Sequence, residues 1–132
     1  MIRLALDTSA YSHFKRNDAA VVSMITTAEW IGVPAIVLGE LRAGFHRGTR
    51  PEVNERELSA FLGHPVVHVL DVDDGAAVVY ADIVAALRAA GTPVPTNDIW
   101  IAAVAAREGA IVVTYDAHFR AIARVGSRIL TR

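Results

Sequence analysis

Four short apolar runs, at positions 2–6, 31–33, 66–70 and 110–113, recur along the chain with stretches of helical periodicity between them. The runs are near-continuous rather than alternating, with Arg3 interrupting the first, and this is the pattern of strands buried on both faces. Strands covered on both sides need helices on both sides. The pattern therefore predicts an α/β fold around a central, mostly parallel sheet of four to five strands, the fifth supplied by a short edge run at 128–130. The helices carry their own signals. Val37, Leu38, Leu41 and Phe45 repeat at three and four residues over 35–45 and form one face, with Glu40 off that face. Asp18 is placed to cap a helix bearing Val21, Val22, Ile25 and Ala28, and Pro51 opens a polar helix reaching 61. Asp73 and Asp74 start a helix that runs to Ala90. After a Pro-rich loop at 91–97, a further helix is expected over 98–108, ended by Gly109, and a short one over 118–123.

With 132 residues, 53% hydrophobic and 20% charged, the chain can bury the core of one domain spanning 1–132 without disulfide or structural metal. It contains no cysteine, which excludes thiolate zinc sites, cysteine nucleophiles and redox pairs and makes the cytoplasm the expected location. The longest stretch without Asp, Glu, Lys or Arg covers only 58–70, short of the roughly 18 to 20 residues a spanning helix needs. The opening run carries Arg3 and Asp7 and no small-residue cleavage site, unlike a secretory signal. A net charge of −1 neither favours nor excludes nucleic acid.

Sites in open parallel sheets form outside the carboxyl ends of the strands, and it is there that acids recur. Asp7 follows the first run, Asp116 follows the fourth, and Asp98 opens the helix after the Pro-rich loop. Glu40 interrupts an otherwise uncharged stretch over 30–41, beside Gly39 and Gly44. Taken singly, an aspartate ahead of a helix is an ordinary N-cap contributing about 1 kcal/mol. Taken together, the acids need a further explanation. Two carboxylates about 5 Å apart repel by roughly 3 kcal/mol at an effective dielectric near 20, so a cluster of them persists by binding a cation, sharing protons or pairing with bases. All-oxygen donors of this kind suit Mg²⁺ or Mn²⁺ rather than zinc.

These residues together resemble the PIN-domain ribonucleases, and among them the VapC-type toxins of toxin–antitoxin pairs. The resemblance covers essentially the whole chain. It rests on the opening strand with Asp7-Thr8-Ser9, on Glu40-Leu41 followed by Gly44, on Asn97-Asp98 heading Ile101-Ala102-Ala103, and on Val112-Val113-Thr114-Tyr115-Asp116 followed by His118-Phe119. It implies a three-layer sandwich of helices, sheet and helices, and a metal-dependent endoribonuclease leaving 5′-phosphate and 3′-hydroxyl ends. By the same resemblance Asp7, Glu40, Asp98 and Asp116 are the acids that hold Mg²⁺ or Mn²⁺, with Thr114 in support. Asp116 stays open between direct ligand and partner of a ligand. Tyr115 departs from the asparagine many relatives carry, but its side chain should alternate away from Thr114 and Asp116. The implied partners are an RNA substrate, a VapB-type antitoxin and a second copy of the chain. Arg42, Arg47, Arg50, Arg120 and Arg124 are candidate contacts to RNA phosphates or to the antitoxin.

Other readings are weighed by what they need. A receiver domain needs a lysine after a late strand, and the only lysine is Lys15. A haloacid-dehalogenase-like enzyme needs an aspartate two residues after the first, where Ser9 stands. A non-enzymatic binding module, with the aspartates as caps, and an RNA-processing nuclease outside toxicity both stay open. Trp30 and Trp100 read as core or interface anchors, and His118 is placed to stack or ligate near Asp116, although a single histidine beside a helix cap is more often packing. His13, His46, His64 and His68 show no ligand spacing, and no Gly-x-Ser-x-Gly elbow surrounds Ser9 or Ser12.

Overall fold

The computed structural model describes all of residues 1–132. Five strands form one sheet: β1 (Leu4–Leu6), β2 (Ile31–Pro34), β3 (Val67–Leu70), β4 (Ile111–Thr114) and β5 (Ser127–Ile129). They lie in the order β3-β2-β1-β4-β5, and every pairing is parallel. Six helices flank them: α1 (Thr8–Lys15), α2 (Ala19–Thr27), α3 (Ala35–Arg47), α4 (Pro51–Leu62), α5 (Asp74–Ala90) and α6 (Thr96–Arg107), with a short 3-10 helix at Ala117–Ala121. The expected α/β layering is present, and the sheet is parallel throughout.

The burial of each strand follows its position. β1 is central, with β2 and β4 on either side, and all three of its residues are buried; β2 is buried along its whole length. β3 lies at one edge and exposes His68 and Val69, and β5 at the other edge buries none of its residues. Edge strands pair on one side only, so less of their surface is covered. The apolar face of α3 predicted from the sequence enters the core through Val37, Leu38 and Leu41. Aromatic contacts tie helices together: Phe61 of α4 meets Tyr11 and Phe14 of α1 at ring separations of 5.3 and 5.5 Å, and Tyr80 of α5 stacks on Trp100 of α6 at 3.9 Å.

Helix boundaries depart from the sequence expectation in two instructive places. Asp18 does occupy the cap position of α2, but it makes no side-chain cap hydrogen bond and instead accepts one from the Tyr115 hydroxyl. A long-range partner has taken the carboxylate. α6 begins two residues early, because Pro95 in extended conformation serves as its cap, so Asp98 lies inside the first turn and is not the N-cap. The chain proceeds from β1 to β2 and β3 on one side, then returns to β4 and β5 on the other. Strand order therefore reverses at β1, opening a crevice beyond the carboxyl ends of β1 and β4.

Gly32 is the tightest point of the sheet. A Cβ there would stand 2.6 Å from Leu70 Cδ1 and 2.9 Å from the Trp30 ring. Gly32→Ala is therefore expected to destabilise the fold by about 1–3 kcal/mol through overpacking, measured by urea denaturation with a shift in tryptophan emission.

Candidate active site

The crevice beyond β1 and β4 is organised around Asp7, which is 4% exposed. Leaving the strand in extended conformation, Asp7 caps α1: its Oδ1 accepts the Ala10 N–H at 2.8 Å and the Ser9 hydroxyl at 2.7 Å. Its Oδ2 accepts the Thr114 hydroxyl at 2.5 Å, from the last residue of β4. Thr114 Oγ1 in turn accepts the Asp116 N–H at 2.9 Å, and Ser9 Oγ accepts the Tyr115 N–H at 3.0 Å. One buried carboxylate thus fixes both the start of α1 and the backbone that carries Asp116. A carboxylate offers about four acceptor sites, so Oδ1 is filled while Oδ2 keeps one free.

Asp116 caps the short 3-10 helix by accepting the His118 N–H at 2.9 Å. Asp98 faces it from the first turn of α6. These two carboxylates and the His118 imidazole bring one ligand atom each within 4.8 Å of one another. His118 Nδ1 lies 3.0 Å from Asp116 Oδ1 and 3.5 Å from Asp98 Oδ2. Glu40 stands outside that trio, its two oxygens accepting from the Thr8 hydroxyl at 2.5 Å and the Asn97 amide at 3.2 Å. Each Glu40 oxygen retains an acceptor site as well.

The electrostatics are those of a site with more negative charge than its own side chains balance. Burial pushes the Asp7 carboxyl above the ordinary aspartate range; hydrogen bonds from Thr114, Ser9 and Ala10 pull it back, and the charge of Asp116 pushes it further up. Asp98 is also raised, first by burial, then by Asp116, and further by Asp7 and Glu40, with His118 opposing. All four acids predicted from the sequence therefore converge on one crevice. Carboxylate oxygens with unfilled acceptor sites and uncompensated repulsion are a donor set that fits a hard divalent cation.

The remaining predicted residues fall into two groups. Thr114 is buried at the centre of the network, as expected for a supporting hydroxyl. Arg42 is held by Glu55 through two hydrogen bonds, at 2.9 and 3.1 Å, and Arg124 pairs with Asp82 at 3.1 Å. Arg47, Arg50 and Arg120 are exposed and belong to no ion pair. Arg47 follows Glu40 by nearly two turns of α3 and so shares its face; a Cβ at Gly44 between them would meet only the Arg47 guanidinium, 3.9 Å away, and one at Gly39 would meet nothing. Neither glycine is demanded by internal packing.

The sequence reading missed Thr8 and Asn97, the two donors that orient Glu40, and it favoured packing over ligation for His118, whereas the ring lies at the acids with 52% of its side chain exposed. A usable signal existed for His118. Two residues after a capping aspartate, the backbone N–H is bonded back to that aspartate, which keeps position 118 beside Asp116. Tyr115 does point away from Asp116, as alternation requires, with its ring 4.0 Å from that of His13. Burial and the Asp18 hydrogen bond push its hydroxyl up to about 12.

The sequence profile of the PIN domain matches residues 4–125. Ribonuclease VapC4 of Mycobacterium tuberculosis is 38% identical over 94 residues, covering 71% of this chain and 72% of that protein. Ribonuclease VapC5 of the same organism is 31% identical over 121 residues, covering 89% and 85%. Among solved structures, the DNA-bound VapBC of Salmonella typhimurium superposes with a TM-score of 0.86 at 28% identity, covering 98% of each chain.

Two expectations follow. Thr114→Val keeps the shape but strips Asp7 Oδ2 of its donor and the Asp116 N–H of its acceptor, so a loss of about 1–3 kcal/mol is expected in urea denaturation. Asp98→Asn should act in the opposite direction. Because the Asp98 carboxyl is raised, the folded protein holds its proton where the unfolded chain has released it, so this group's contribution is most favourable at low pH and is lost as pH rises past the ordinary aspartate range. In EDTA, Asp98→Asn should therefore exceed the parent in stability at neutral pH, with the difference shrinking on acidification; a difference independent of pH would trace it to packing instead.

Proposed function

The chain belongs to the PIN-domain family, in its branch of VapC ribonucleases, and from that premise we propose that it is a metal-dependent endoribonuclease acting as the toxin of a toxin–antitoxin pair. The observation that carries the reading is the convergence of Asp98 and Asp116 from separate elements onto the crevice anchored by Asp7, at the point where strand order reverses. Residues 1–132 act as one nuclease unit, with Asp7, Glu40, Asp98 and Asp116 as the catalytic acids.

In this reading the four acids hold Mg²⁺ or Mn²⁺ through their unfilled oxygen sites. Such an ion, when bound, supplies activation of water at neutral pH and neutralisation of charge on the leaving oxygen of a phosphodiester. The chain's own residues do the positioning. Thr8 and Asn97 hold the Glu40 carboxylate, Thr114 and Ser9 hold Asp7, and Thr114 also fixes the backbone of Asp116. The hydroxyls of Thr8, Ser9 and Thr114 are each donated to a carboxylate, and in this reading water serves as the nucleophile, without a covalent enzyme intermediate. RNA approaches a cluster of acids only where cations offset them, a role for the unpaired Arg47 and Arg50 beyond Glu40 and for Arg120 beyond Asp116. Arg42, engaged by Glu55, contributes less unless that pair opens.

The DNA-bound VapBC among the structural relatives supports a VapB-type antitoxin as the partner of this chain; a homodimer as the working form is what the family resemblance implies. No helix is long and apolar enough to cross a membrane, and an enzyme acting on the cell's RNA has the cytoplasm as its place of action.

The test is incubation of purified protein with total RNA of its host in Mg²⁺, Mn²⁺ or EDTA, followed by sequencing of new 5′-phosphate ends. Discrete, metal-dependent ends are expected, lost by at least about 100-fold in Asp98→Asn, as removal of a metal-holding group implies. Folded, antitoxin-free protein that yields no metal-dependent ends would return the four acids to caps and surface charge.

A further inference from the structure

His118 is the one base in direct reach of the acids, and its position is set by the fold. Its own N–H is bonded to Asp116 Oδ1 at 2.9 Å, and its Nδ1 returns to 3.0 Å from that same oxygen and 3.5 Å from Asp98 Oδ2. The ring is half exposed, so it is not there to fill the core. Donor atoms on adjacent positions of an octahedral ion with bonds near 2.1 Å lie about 3.0 Å apart, matching the separation from Asp116, while Asp98 lies about half an ångström farther out.

We propose that His118 is a metal ligand, giving this site a mixed nitrogen and oxygen donor set that selects Mn²⁺ over Mg²⁺. The assignment rests on the nuclease reading and deepens it by naming the ion. Three features support it. Two carboxylates from different elements, Asp98 of α6 and Asp116 after β4, present oxygens to the same nitrogen. A neutral imidazole adds a donor without adding negative charge, whereas a further carboxylate would deepen the repulsion Asp98 already feels from Asp116, Asp7 and Glu40. Imidazole nitrogen favours transition ions, while Mg²⁺ prefers oxygen and holds its waters, so one nitrogen in the set shifts preference toward Mn²⁺.

The experiment is Mn²⁺ titration of the full chain, followed by the electron paramagnetic resonance signal of free Mn²⁺, with pulsed measurement of ¹⁴N coupling to the bound ion and displacement by Mg²⁺. The parent, His118→Ala and Asp98→Asn are compared, with circular dichroism to verify folding. The parent should bind Mn²⁺ and show imidazole ¹⁴N coupling. In His118→Ala that coupling should vanish and Mn²⁺ affinity fall by at least about tenfold, while Mg²⁺ affinity changes far less. Bound Mn²⁺ without ¹⁴N coupling, or coupling that persists in His118→Ala, overturns the assignment and leaves the nuclease reading standing. A parent that binds no Mn²⁺, or Asp98→Asn binding as the parent does, overturns both.

Discussion

A single buried carboxylate holds this architecture together at the point where it matters. Asp7 leaves the central strand, caps α1 and receives the hydroxyl of Thr114 from the neighbouring strand. Parallel strands share backbone hydrogen bonds along their length, but those bonds end where the strands end, and loops beyond them are free to diverge. The Asp7, Ser9 and Thr114 hydrogen bonds extend the register of β1 and β4 past the sheet and into the crevice. Asp116 inherits its position from that extension. Desolvating Asp7 is unfavourable, as its raised carboxyl shows, and three hydrogen bonds offset the burden.

Capping and charge clustering prove to be compatible roles rather than competing explanations. Asp7 and Asp116 each cap a helix and each face the crevice, because a parallel sheet delivers helix starts and strand ends to the same side. The geometry that makes an aspartate a good cap also turns it toward its counterpart on the adjacent strand. Repulsion among the acids is then a by-product of topology, and it is what makes the crevice receptive to a cation. Thr8 and Asn97 moderate that repulsion at Glu40 with neutral donors, leaving the charge itself in place.

Much of this was legible in the sequence for a physical reason. Strands buried on both faces have no polar alternation, so the runs at 31–33 and 110–113 announced a covered parallel sheet, and strand ends in such a sheet announced Asp7 and Asp116. The apolar spacing of Val37, Leu38 and Leu41 located α3 and with it Glu40. What escaped depended on which partner each polar side chain takes, which periodicity does not record. Asp18 looked like a cap because its neighbours form a helix, yet its partner is Tyr115, and nothing local records that contact. His118 looked like packing because a single histidine has no spacing to read; only the turn after Asp116 keeps position 118 beside that acid. Pro95 displaced Asp98 from the cap because an extended proline can end a loop and start a helix at once.

The strand order has a consequence for the life of the chain before it is complete. β1 pairs with β2, some 27 positions later, and with β4, where Leu4 lies opposite Ile111. Contacts of such long separation form late, because the intervening chain must first be closed into a loop. A chain still being synthesised therefore carries Asp7 and Glu40 well before it carries β4, the strand that anchors Asp7 and leads into Asp116. The acids of the crevice are drawn from nearly the full span of the chain, and no early fragment contains them all. The complete crevice therefore exists only once the chain has reached β4 and the residues that follow it.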